Sequence, residues 1–300
     1  MTVFKKVGLF LIPAALFLSS CGSGEVEEES GNDGPGDSTT MEQKLHTQNV
    51  FTNIPSPVET ATVLLDAGAE YDHTMVNDPL IFKSYTAEEA RALNLGVYGA
   101  DLSFAGIFEN SQESMAFLKC VNALCKDLGI SGVFDEKTAD RLERNKDNRD
   151  SILEIVSTSF WDADAYLKEN QRPNTSSLIV AGGWVEGMYI ACEVYNKTKK
   201  EKIKNRIISA PQKSSLTSLV TLLESEKQSA VSQFMLEGLQ NLKKIYEKIP
   251  EGKPVTTAVT DTVTGETSIE TKNNVVVDAT LMNEIYTAVR DLRQKMVSTK

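Results

Sequence analysis

The chain is poor in the side chains that most enzymes use. It has two histidines, two tryptophans and four cysteines in 300 residues. H-E-x-x-H, C-x-x-C, G-x-S-x-G, S-x-x-K, the Walker loop and G-x-G-x-x-G are all absent from it. His46 and His73 stand alone, the latter in a loop with Asp72 and Asp78. "NKDNRD" (145–150) lacks the glycine and the later glutamate of a calcium loop. "WDADAY" (161–166) sets Asp162 and Asp164 two apart, on different faces of a helix. No metal site and no cofactor is expected.

Positive charge is also scarce. Lys and Arg number 31 against 42 Asp and Glu, a formal net charge of −11. Nucleic-acid affinity comes from cationic contacts to phosphate, so nucleic acid is not an expected partner. The basic run 197–206 reads as a solvated face. After residue 20, no stretch reads as a transmembrane helix, which needs about 20 apolar residues.

The start of the chain carries the most specific signal. Lys5 and Lys6 precede an apolar run, Val7 to Leu18, that is too short to span a bilayer and has the length of a secretory signal core. Ser19, Ser20 and Cys21 follow. Leu18-Ser19-Ser20-Cys21 resembles the lipobox of bacterial lipoproteins. The resemblance covers residues 1–21. It implies that the Cys21 thiol receives a diacylglyceryl group, that the chain is cut before Cys21, and that the new amino group is acylated with a palmitate-type chain. One acyl chain binds a membrane only marginally, at about 0.8 kcal/mol per buried CH₂, whereas three together hold. Cys21 is then a membrane attachment point. No Asp follows it (Gly22 and Ser23 stand there), so the resemblance implies the outer membrane, with the protein facing the periplasm or the cell surface.

Residues 24–40 hold six acidic residues and no basic one, with Gly, Pro and Ser between them. Such a segment cannot bury a core and reads as a disordered tether. Its cluster Glu25, Glu27, Glu28 and Glu29 also resembles the acidic surface-export tract of Bacteroidota lipoproteins. Loss of residues 1–20 removes two lysines and takes the net charge from −11 to −13. Three regions result: a signal peptide over 1–20, a lipidated cysteine and tether over 21–40, and a folded domain over 41–300.

That domain reads as all-α, a multi-helix bundle with one small β-hairpin inserted near its end. Apolar residues at helical spacing predict helices over about 57–69, 88–108, 111–128, 136–144, 150–168, 175–198, 211–225, 230–249 and 276–297. Thr86-Ala87-Glu88-Glu89 reads as a capping box. Ser111 or Ser114 caps the next helix, which Gly129-Ile130 stops in a Schellman turn. Asp135 caps a short charged helix, and Asn148 or Asp150 opens the one after it. "PVTTAVTDTVTGETSIETK" (254–272) breaks the rule: it is rich in Val and Thr with Thr264-Gly265-Glu266 at its middle, the pattern of a hairpin. Cys120, Cys125 and Cys192 are expected as plain buried thiols.

Two segments carry the candidate site. "LGVYGADLSFAGIF" (95–108) and "GGWVEGMYIACEVY" (182–195) hold three glycines each. A helical glycine costs about 1 kcal/mol against alanine, and close approach of another helix is the usual compensation. Each segment also carries acids: Asp101 in one, Glu186 and Glu193 in the other. If the two helices pair, Asp101 and Glu186 share a polar pocket lined by Tyr98, Trp184 and Tyr189. The competing expectation is tight packing with the acids turned to solvent or to lysines, because carboxylates are seldom buried unless paired. The segments also align with Gly96 on Gly183, which an internal repeat or two independently glycine-rich core helices would both explain.

The leading reading is a non-catalytic binding or structural module of the cell envelope, held to the membrane through Cys21 and open to an envelope protein partner. One alternative is an enzyme or small-ligand or metal-binding protein with a carboxylate site between the glycine-rich helices. Another is a tetratricopeptide-like repeat scaffold. An enclosed acid pair favours the first alternative, and superposable helix pairs the second.

Overall fold

The computed structural model describes residue 54 and residues 57–300, apart from 131, 133–135, 146–147, 227–228, 253, 261–266 and 274. The signal peptide, Cys21, the tether, Asp135 and Thr264-Gly265-Glu266 lie outside the described residues.

Two helices form the centre because glycine lets their backbones touch. α2 (Glu88–Ile107) and α6 (Pro173–Thr198) pack against each other along their length. A methyl group built on Gly96 would lie 2.0 Å from the Ile179 carbonyl oxygen, and one on Gly182 would lie 2.1 Å from the Leu93 carbonyl oxygen. The contact is reciprocal: each helix offers a bare Cα where the other presents a carbonyl. Gly99 and Gly106 in α2 face side chains instead, Phe160 and Ile152. The close approach expected from the glycines is therefore present. Every residue of α2 from Ala92 to Ile107 is buried, as befits a helix enclosed on all sides.

The other helices wrap this pair. α1 (Pro57–Asp66) and α5 (Arg149–Glu169) touch both central helices, and α3 (Ser111–Asp127) covers α2. α4 (Glu136–Arg144) rests on α5. α7 (Glu201–Ile207) and α8 (Ala210–Ser225) pack on α6, α9 (Ala230–Tyr246) packs on α8, and α10 (Ala279–Ser298) lies against α9, α6 and α2. A strap, residues 71–85, crosses α2 and α3 with two 3-10 turns, His73–Met75 and Phe82–Ser84. Backbone pairing joins β1 (Pro254–Thr260) antiparallel to β2 (Thr267–Asn273), with Pro254 opposite Asn273 and Thr260 opposite Thr267. The described part is predominantly α-helical, in accord with the all-α reading.

Most helix ends follow local chemistry. Asn148 caps α5 by accepting from the Ser151 N–H at 3.0 Å. Gly129, at φ +72°, ends α3 in a Schellman turn: the Ile130 N–H reaches the Cys125 carbonyl at 2.9 Å, and the Gly129 N–H reaches the Lys126 carbonyl at 3.0 Å. Ser229 and Ser232 cap α9 reciprocally, the Ser229 N–H donating to Ser232 Oγ at 2.7 Å and the Ser232 N–H to Ser229 Oγ at 3.1 Å. Ser229→Ala should lower stability by about 1 kcal/mol, read as a shifted denaturant midpoint with an unchanged slope.

Three expectations are corrected. The capping box at Thr86–Glu89 does not form. Ala87 is the N-cap and offers no side-chain oxygen. α3 is capped by Asn110, whose Oδ1 accepts from the Glu113 N–H at 3.2 Å, and not by Ser111 or Ser114. By length and composition α6 is able to cross a membrane, contrary to the reading that no later stretch could. In the fold, 83% of its most apolar window is buried among other helices, so its apolarity serves the core.

Candidate functional site

Asp101 on α2 and Glu186 on α6 each follow the glycine contact of their helix, at Gly96 and Gly182, by about one turn. Both side chains are fully buried. The expectation that these acids point to solvent or to lysines is overturned: the partner is an arginine, and it comes from α10. Arg293 Nε donates to Glu186 Oε2 and Arg293 Nη2 to Glu186 Oε1, each at 2.9 Å. This is the bidentate fork that makes arginine–carboxylate pairs strong. The guanidinium also lies over the Tyr189 ring, 4.6 Å from its centroid, where the face of the ring attracts a cation. Burial opposes the Arg293 charge, but the Glu186 carboxylate outweighs it and holds the guanidinium pKa above its usual value.

Asp101 is held differently. Its Oδ2 accepts from the Asn77 N–H of the strap at 3.1 Å. Its Oδ1 finds no donor. Burial first, then the charge of Glu186, push the Asp101 carboxyl well above the usual carboxylate range; Arg293 and the Asn77 N–H pull only part of the way back. Glu186 is within hydrogen-bonding reach of Asp101. Two carboxylates are both acceptors, so a bond between them requires a proton on one.

The strap closes this cluster by polar contacts to three helices. The Tyr98 hydroxyl of α2 donates to the Asp78 carbonyl at 2.8 Å. The Cys120 thiol of α3 lies 3.4 Å from the Pro79 carbonyl oxygen. Asn77 Nδ2 donates to the Tyr85 hydroxyl at 3.2 Å, and that hydroxyl donates to the Val297 carbonyl of α10 at 3.3 Å. Burial pushes the Cys120 thiol up to about 12, with the charge of Asp101 adding to it, and holds the Tyr98 phenol far above its usual value. Both stay neutral at physiological pH.

Of the residues singled out from sequence, Asp101 and Glu186 come together, and Tyr189 supports them through Arg293. Tyr98 borders the cluster but spends its hydroxyl on the strap. Trp184 is buried with its indole N–H unpaired, and no recorded bond joins it to either carboxyl. Glu193, one heptad beyond Glu186, accepts instead from the Tyr286 hydroxyl at 2.8 Å. Sequence reasoning missed Arg293 and Asn77. Among the described residues, no group of three His, Cys, Asp or Glu side chains is placed to hold a metal ion. Cys120, Cys125 and Cys192 are buried, free thiols.

Chemically, the cluster is one guanidinium, two carboxyls and several neutral hydroxyls, enclosed between three helices and a strap. Such a cluster can hold a proton and fix helix register. Compared with known proteins, the chain matches no family model, no curated protein and no solved structure.

Proposed function

We propose that the protein is a lipid-anchored lipoprotein of the bacterial outer membrane whose helical domain is a non-catalytic binding or structural module of the envelope. The observation that carries this reading is the order Lys5-Lys6, apolar run, Leu18-Ser19-Ser20-Cys21, acidic tract. The acyl chains on Cys21 hold the protein at the membrane, and residues 21–40 keep the domain off its surface. The domain then faces the periplasm or the cell surface. An envelope protein is the expected partner. The 254–272 segment belongs to the same proposal as a hairpin standing on the bundle; the antiparallel register of β1 and β2 supports it.

Mass spectrometry of the membrane-extracted protein tests this reading. The first peptide should begin at Cys21 and carry a diacylglyceryl group and an amide-linked acyl chain. A first peptide that begins elsewhere, or an unmodified Cys21 thiol, would sink it.

A second reading is favoured by the convergence of Asp101 and Glu186, namely a small-ligand or catalytic carboxylate site between the glycine-rich helices. It would require the strap to lift, since both acids are fully buried. Turnover or ligand uptake that disappears in both Glu186→Gln and Asp101→Asn, with folding intact, would establish it.

A further inference from the structure

The cluster between α2, α6 and α10 has an unbalanced charge if both its acids are ionised. Asp101 and Glu186, both fully buried, would contribute two negative charges, and Arg293, with its side chain 15% exposed, one positive charge. An uncompensated buried charge costs several kcal/mol, and a group in that position takes up a proton instead. The geometry says which group. Glu186 has both oxygens engaged by the guanidinium fork. Asp101 has one oxygen on the Asn77 N–H and the other with no donor at all. A proton on Asp101 Oδ1 removes the orphan acceptor, cancels the excess charge and supplies the donor that a bond to Glu186 lacks.

We propose that Asp101 is a proton-binding site: it carries a proton at neutral pH, donates it in a hydrogen bond to Glu186, and in losing it loosens the strap from the core. In the release step the Asp101 O–H bond breaks, its electron pair stays on the oxygen, and the proton passes to water or hydroxide. Two carboxylates then face one guanidinium. The phenols and thiol around the site, Tyr71 and Tyr85 from the strap, Tyr98 from α2, Cys120 from α3 and Tyr189 from α6, are all raised by burial and stay neutral in this step. The charged side chains further out are Asp72 and Glu113 by Tyr71, Asp78 and Lys119 by Cys120, Glu193 by Tyr189 and Lys300 over the Tyr85 ring. Arg293 is the cation facing it, and cannot satisfy both acids. The direct route to solvation is to lift the strap, whose Asn77 N–H sits on Asp101 and whose Tyr85 bridges to the last turn of α10. The inference is independent of the membrane anchor.

The sign of the pH dependence follows. The carboxyl is raised in the folded state above its ordinary value of 3.8. Its contribution to stability is fully present below the unfolded value and is lost as pH rises through the folded one. The strap should therefore tighten in acid and loosen in alkali.

Infrared spectroscopy of the full chain, selectively labelled with ¹³C-aspartate, reads the proton directly. A protonated-carboxyl C=O band at pH 7 that shifts with aspartate labelling is expected, and it should vanish in Asp101→Asn. Hydrogen exchange over residues 76–85, corrected for the intrinsic rate, should quicken as that band titrates away, and should lose this extra pH dependence in Asp101→Asn. If Asp101→Asn fails to fold, the labelled wild-type band and its own exchange profile decide the matter. Absence of a protonated aspartate at pH 7 overturns the proposal. So does a strap whose protection ignores the titration, or a site that responds to K⁺ or Na⁺, since a cation would then be balancing the charge.

Discussion

Gly182→Ala should destabilise the fold severely, by more than about 4 kcal/mol, and Gly96→Ala should do the same. In each case the new methyl meets a carbonyl oxygen of the opposite helix, at 2.1 Å from Leu93 and 2.0 Å from Ile179. A side chain can turn away, but the backbone in the middle of a buried helix cannot. Relief would require α2 and α6 to separate by more than an ångström along the contact that organises the core. Overpacking ordinarily costs about 1–3 kcal/mol where side chains give way. A backbone collision at a central helix crossing should exceed about 4 kcal/mol, a large share of the roughly 5–15 kcal/mol that holds an ordinary domain. The gain of about 1 kcal/mol in helix propensity does not offset it. Gly99→Ala is the control: its methyl meets the far end of Phe160, a partly exposed ring that can rotate, and should cost less than about 2 kcal/mol. Denaturant titrations of the three variants check the ranking. A Gly182→Ala protein that melts close to wild type would show that the helices do not touch as described.

Glu186→Gln should be the most damaging change among the polar residues. It leaves the guanidinium of Arg293, whose side chain is only 15% exposed, without a carboxylate. Breaking a buried pair from one side costs about 3–5 kcal/mol, because the surviving charge is stranded. Arg293→Met should be comparably harmful, since it leaves two buried acids without a cation. The double variant should recover much of the loss, because removing both partners of a buried pair is far milder than removing one. A double-mutant cycle in denaturant would give the coupling directly. Asp101→Asn should differ sharply: the amide matches a protonated carboxyl in shape, can donate to Glu186 and can still accept from Asn77, so the loss at neutral pH should stay within about 1 kcal/mol. Equal losses for Glu186→Gln and Asp101→Asn would contradict the unequal roles assigned to the two acids.

The features legible in sequence were the ones that local chemistry fixes. Asn148 capped its helix and Gly129 closed the Schellman turn because both act within a few residues of themselves. The repeated glycines signalled a close helix approach because only such a contact offsets their cost. That approach in turn brought Asp101 and Glu186 together. The arginine that pairs with Glu186 stands 107 residues further on. It hid behind Leu292, on a helix whose Val289, Leu292 and Met296 pattern assigned its neighbours to the core and left Arg293 to the surface. A charged residue inside an apolar seam can pass for a solvated one until its partner is known. Asn77 was invisible for another reason: its backbone N–H, not its side chain, serves Asp101. The capping box at Thr86–Glu89 failed because the strap has its own arrangement there, with Arg91 Nε donating to the Tyr85 carbonyl at 3.1 Å, and the helix starts one residue late for Thr86 to reach it. The apolar α6 was underrated because composition does not say whether protein or lipid covers a helix.

The helical domain and the residues before it make separate claims, and the functional account stands on the second. Membrane fractionation with protease shaving of intact cells, on wild type and Cys21→Ala, tests it most directly. The account predicts wild type in the membrane fraction and Cys21→Ala in the soluble one; shaving of wild type then assigns it to the cell surface, and protection to the periplasmic side. Both proteins in the soluble fraction, or both in the membrane fraction, would contradict an anchor at Cys21.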